Sequence, residues 1–186
     1  DATRGVAGVA GFGGGFAGRS ASAFGEPEMK ALVQRTMDEA ARLETALCSL
    51  DTDLRVALMH YSPVAETLGR EPPEIYPFLG SSRLEEPLTR YEVTAVFHGH
   101  AHKGSPEGKT AKGIPVYNVS YHVLKARYPD RPPFRLFEVR STGAEEGGGG
   151  PEAAKDAVRP SEAGQWGRRS TDRAAAVEAA DRGDRR

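Results

Sequence analysis

The chain carries five histidines, at positions 60, 98, 100, 102 and 122. His98, His100 and His102 alternate in a segment reading VFHGHAHKG, directly after an apolar run, and His60 closes another apolar run at 54–60. Imidazole is the commonest protein ligand for zinc and also suits iron and manganese. In α/β sheets, ligands gather at the carboxyl ends of the strands. Two neighbouring strands that each end in histidine would therefore deliver imidazoles to the same edge. Gly99 is expected to let the backbone turn sharply between His98 and His100, so that a loop can aim His100 and His102 inward. The plainer alternative is a set of polar loop residues. Three alternating histidines at one strand end, with a fourth at another, point to metal binding instead.

The elements that must hold these side chains are visible in the patterning. Residues 27–50 place Met29, Leu32, Val33, Met37, Ala40, Leu43, Leu47 and Leu50 three or four apart, one stripe of a helix. Pro27 suits its first turn, where a missing N–H costs nothing. Residues 54–60 and 93–98 are short and apolar on both faces, as in central strands covered from two sides. A short helix is expected over 82–91, preceded by a proline-rich loop at 69–80. Further strands are expected at 114–120 and 134–139, and an earlier one runs into the glycines of 6–16. The order is that of an α/β layer ending in a more antiparallel, β-rich half.

The chain has 186 residues, room for one domain. Its apolar share of 38 %, with 22 glycines and 13 prolines, is low for a chain packed throughout. The excess lies mainly at the end: from Ser141 onward Trp166 is the only aromatic residue, and four glycines run from Gly147 to Gly150. Such a segment cannot offset its ordering entropy by burial. The reading is a folded part over 1–140 and a disordered tail over 141–186. A net charge of −1 argues against a polyanion partner. The single cysteine, Cys48, allows no internal disulfide and fits a reducing compartment, and no apolar run is long enough to span a membrane. These features fit a cytoplasmic protein. Ala21-Ser22-Ala23 has the small-x-small form of a signal-peptidase site, but one arginine and a glycine-rich stretch make a poor leader.

Gly99-His100-Ala101-His102 resembles the GHxH motif of the calcineurin-like metallophosphoesterases. His60-Tyr61-Ser62-Pro63 resembles the single-histidine motif that precedes it, and Gly113 to Asn118 the strand that follows it in bacterial members. Val6 to Phe16 resembles a strand and glycine loop from the middle of such proteins. The resemblance covers about residues 6–140 and is specific around 54–120. It implies the C-terminal part of a two-sheet sandwich flanked by helices, with two divalent metal ions (Mn, Fe or Zn) at the strand ends. His60 and His100 would bind one metal and His102 the other. His98 would pack or form a supporting hydrogen bond, and His122 would be structural. The implied activity is hydrolysis of a phosphomonoester or phosphodiester by a metal-activated water. Near-neutral charge favours a small phosphate ester over a long nucleic acid, and the loop at 64–82 is the candidate specificity element.

The family's Asp-x-His and Asn-His motifs are absent from the sequence, and its Gly-Asp occurs only out of order. Asn118 is the sole asparagine and precedes valine; the one Gly-Asp, Gly183-Asp184, follows GHxH. Two cations about 3.5–4 Å apart need a bridging anion, which neutral imidazoles do not supply. Residues 1–186 alone are therefore expected not to assemble the binuclear centre or turn over substrate. Because the sequence starts at Asp1, an N-terminal half is expected upstream; the alternative is a non-catalytic metal-binding or scaffold module on a decayed phosphoesterase fold. Gly13 to Gly18 also satisfies G-x-G-x-x-G, but a dinucleotide site needs a helix opening at the last glycine, and the acid at the right spacing, Asp38, falls in mid-helix.

Overall fold

The apolar stripe of 27–50 forms helix α1, Pro27–Cys48, in the computed structural model, which describes residues 2–16 and 18–138. The expected tail, 141–186, lies outside the described residues. The buried side of α1 is rotated from the expected stripe. Val33, Leu43 and Leu47 are buried, but so are Thr36 and Glu39, whereas Met29 and Met37 are exposed. Hydrogen bonding explains the rotation. Thr36 Oγ1 donates to the Gly13 carbonyl (2.5 Å) and Glu39 Oε2 accepts from the Gly11 N–H (3.1 Å). Buried backbone groups of the glycine loop need partners, and α1 turns polar side chains inward to provide them.

Five strands form one mixed sheet: β1 (Arg4–Gly8), β2 (Leu54–Leu58), β3 (Ala95–His98), β4 (Glu107–Lys109) and β5 (Pro115–Asn118). Their order is β1-β2-β3-β5-β4. All neighbours are parallel except β4 and β5. The fold is thus α/β, as expected, but the expected antiparallel half reduces to β4, a three-residue edge strand that the sequence reading did not include. The segment expected as a strand at 134–139 joins no ladder through residue 138. Phe137 instead packs its ring on Phe97 (5.6 Å) and Tyr117 (5.7 Å), and the Arg135 guanidinium lies 3.8 Å over Tyr117.

The two faces of the sheet differ. Ala7, Ala57, Val96 and Val116 are in register across four strands and all are buried. They pack with Leu43 and Leu47 of α1 and with Leu84 and Leu88. Leu84 ends a 3₁₀ turn, and Leu88 lies in the short helix α3, Glu85–Arg90, so the helix expected over 82–91 is present. Small alanines let the helices approach closely. On the opposite face Val6 and Leu58 are exposed. β1 and β2 are therefore not covered from both sides, contrary to the reading of continuous apolar runs. Between β2 and β3 the proline-rich loop winds into short turns and helix α2, Tyr76–Leu79; helix α4, Tyr121–Arg127, follows β5.

Candidate metal-binding site

The segments leaving β1, β2 and β3 are stitched together just past the ladder. Met59 N–H donates to Phe97 O (2.9 Å), His60 N–H to Ala10 O (3.0 Å) and Gly99 N–H to His60 O (3.2 Å). This fixes His60 beside the loop that carries His100. The His60 and His100 ring centroids are 4.5 Å apart with the rings tilted by 46°, and Tyr61 flanks His100 at 4.6 Å. An open groove lined by Gly8, Val9, Ala10, Leu58, Met59 and His60 runs alongside.

The turn between the alternating histidines is made differently from expectation. Gly99 has no positive φ; His100 does, at 66°. Ala101 N–H donates to Gly99 O (2.8 Å), closing a tight turn around His100. A side-chain-bearing residue in the left-handed region is uncommon and persists only where its surroundings over-determine it. Two contacts do so. Ala101 is fully buried in a small cluster with Leu68 and Leu79, which pins the residue after the turn. His100 Nε2–H donates to the carbonyl of Phe78 in α2 (3.1 Å). Because a carbonyl only accepts, Nε2 carries the hydrogen and the neutral ring keeps its lone pair on Nδ1.

Buried polar groups hold the rest of this loop. Asn118, in register with His98, donates from Nδ2 to Ala101 O (2.8 Å) and accepts the Ser120 N–H at Oδ1 (3.1 Å). The buried Glu71 carboxylate accepts the Lys103 N–H (2.7 Å), and Thr67 O accepts the Ser105 N–H (3.0 Å). Sequence reading missed Thr67, Glu71 and Asn118 as positioning residues. Asn118 had a legible signal, being the polar end of an otherwise apolar strand; Thr67 and Glu71 lie in an irregular loop with none.

His98 is buried. Its Nδ1–H donates to Gly99 O (2.8 Å), so its Nε2 accepts from Thr67 Oγ1 (2.8 Å), which in turn contacts Ser62 Oγ at 2.7 Å. Both ring nitrogens are engaged within the fold. Burial is the main reason its pKa falls to about 4, so it is neutral at pH 7. His60 is also pushed below the usual histidine value, chiefly by desolvation and then by His100 and His102. The downward shift biases His60 toward the neutral form that a metal requires.

The His102 ring contacts that of His122 in α4, with ring centroids 4.4 Å apart and the planes tilted by 40°. Among the described residues, no three His, Cys, Asp or Glu side chains converge closely enough to hold a metal ion. The histidines form two pairs rather than a triad. Three N–H groups of the glycine loop are already used within the fold. Gly11 N–H is spent on Glu39, Gly14 N–H on Pro77 O (2.6 Å) and Gly15 N–H on Gly80 O (2.9 Å), and the next helix opens at Pro27, well past Gly18. Among the described residues no helix is long and apolar enough to cross a membrane. No protein-family profile, curated protein or solved structure matches the chain.

Proposed function

We propose that residues 1–186 carry the histidine half of a binuclear metal centre of a metal-dependent phosphoesterase, and that the chain alone is inactive. The observation that carries this reading is the apposition of His60 and His100, which arrive from the ends of two adjacent parallel strands and meet at 4.5 Å. The donor set fits a divalent transition metal. The rings are imidazoles, His60 is biased to neutrality, and the His100 hydrogen bond leaves Nδ1 free to donate. His60 and His100 would hold one cation and His102 the other; Mn, Fe and Zn all suit such donors. When bound, the paired cations supply a Lewis acid that activates water and offsets phosphoryl charge. The chain's own contribution is to fix the rings. The Phe78 carbonyl sets the His100 tautomer and the Asn118 amide anchors the backbone between His100 and His102. Carboxylates to bridge the cations would come from another segment, and the sheet would then be one leaf of a two-sheet sandwich. The exposed apolar side chains of Val6 and Leu58 support that arrangement. A small phosphate ester is the substrate class, approached past the loop at 64–82, whose α2 touches His100.

The test is to read the coding sequence upstream of Asp1 and to express the chain extended by it. The expected result is an open frame encoding Asp-x-His, Gly-Asp and Asn-His. The extended chain should hydrolyse p-nitrophenyl phosphate or its bis-ester with Mn2+, and His100→Ala should abolish this while residues 1–186 alone stay inactive. A stop codon upstream, or full turnover by residues 1–186, overturns the proposal; the stop codon would favour the non-catalytic module.

A further inference from the structure

His122 belongs to no part of the motif that drew attention to the other histidines, yet α4 brings its ring against His102. The two ring centroids are 4.4 Å apart and the planes 40° apart. His60 and His100 repeat nearly the same arrangement at 4.5 Å and 46°. A nitrogen-to-metal distance of about 2.0–2.1 Å places each ring centroid about 3.2 Å from a shared cation. Two imidazoles about 90° apart, as in an octahedral or tetragonal site, then have centroids about 4.5 Å apart, and at the tetrahedral angle about 5.2 Å. Both pairs, at 4.4 and 4.5 Å, match the 90° spacing. Among the described residues no protein group hydrogen-bonds a ring nitrogen of His102 or His122, in contrast to His98, where both nitrogens are used. Both rings are exposed. The positions are built rather than incidental. His102 follows the buried Ala101, and His122 follows the Asn118–Ser120 segment that bonds back to Ala101 O through Asn118 Nδ2 (2.8 Å) and Ser120 Oγ (3.4 Å).

We propose that His102 and His122 form a second imidazole pair that takes its own divalent transition-metal cation, with His122 as a ligand supplied by α4. This rests on the reading of His102 as a donor to the second cation and extends it, since each cation then has two imidazoles from this chain. Two donors leave coordination positions open, as a shared site completed by carboxylates requires.

The test uses residues 1–186 and Zn2+ alone, read by calorimetry and by long-range 1H–15N spectra of the imidazoles. The wild-type chain should bind Zn2+ weakly and independently at the two pairs, since among the described residues no bridging carboxylate couples them into a binuclear centre, shifting the ring nitrogens of His60, His100, His102 and His122 and leaving His98 unmoved. His122→Ala should weaken one of the two sites by roughly tenfold or more and spare the shifts of His60 and His100. His60→Ala should do the converse. Because His122 is exposed, its removal leaves the core intact, and circular dichroism would check this. Unshifted His122 nitrogens, or an unchanged second site in His122→Ala, overturn the inference while leaving the His60–His100 reading in place. Loss confined to His122→Ala, with His60→Ala unchanged, supports the second pair and counts against the first. A wild-type chain that binds no Zn2+ overturns both.

Discussion

His98 and His100 are two residues apart and have opposite fates, and the difference is a matter of which ring nitrogens the protein consumes. His98 gives both to Gly99 and Thr67 inside the fold; His100 gives one to Phe78 and keeps the other. A buried neutral histidine makes stability depend on pH. The unfolded ring titrates near 6.5 and the folded one at about 4, so between these values the unfolded chain binds the extra proton. The contribution is fully present above pH 6.5 and is withdrawn as pH falls toward 4, by roughly 3 kcal/mol over the whole window. His60, also shifted down, acts in the same direction. Urea unfolding in EDTA at pH 7.5 and 4.5 should show the loss, and His98→Gln should flatten it. A variant with the parent's full slope would show that His98 is not the group responsible. The sequence made the histidines legible by type and spacing. It did not reveal that His102 partners His122, because that contact depends on where β5 delivers α4.

Short elements decide where the imidazoles go, and their tolerance of substitution is set by backbone packing that the sequence states only indirectly. The glycine that appeared to matter was Gly99, yet a Cβ there meets nothing nearer than His60 Nδ1 at 4.0 Å, and its φ lies outside the left-handed region. Gly104 carries the constraint instead. A Cβ at that position would lie 2.2 Å from Thr67 O and 2.6 Å from Asn118 Nδ2. Neither can move away cheaply, since Thr67 O accepts the Ser105 N–H and Asn118 anchors Ala101 O. Gly104→Ala should therefore cost about 1–3 kcal/mol, and Gly99→Ala less than about 0.5 kcal/mol. Thermal or urea denaturation of the pair checks the ranking, and equal costs would contradict it. The same physics explains the rotated face of α1. Apolar periodicity located the helix and its register of leucines, but the polar demands of the glycine loop lie 20 or more residues away in sequence, and they placed Thr36 and Glu39 inside.

The α/β layer followed from the alternation of short apolar runs with helical segments; the strand order and the parallel pairing of β3 with β5 did not. What an apolar run does not state is how many of its faces are covered. The run at 54–60 reads as buried on both sides, yet Ala57 enters the core under α1 while Leu58 stands 46 % exposed. That difference gives a measurement on the whole molecule. Leu43, fully buried between α1 and the sheet, should lose about 2–5 kcal/mol on truncation to alanine, from lost transfer energy and the cavity left behind. Leu58→Ala should cost only about 1 kcal/mol in residues 1–186, because about half of its surface stays in water on folding. Urea unfolding of both variants at two protein concentrations distinguishes the faces. A Leu58→Ala cost approaching that of Leu43→Ala would mean that the outer face is covered in solution. If that cost grew with protein concentration, the cover would be a second copy of the chain, since only association makes stability depend on concentration. In the upstream-extended chain the expectation reverses. A sheet packed on Val6 and Leu58 would raise the cost of Leu58→Ala into the core range, whereas an unchanged cost there would count against the sandwich and leave the histidine pairs on a one-sided layer.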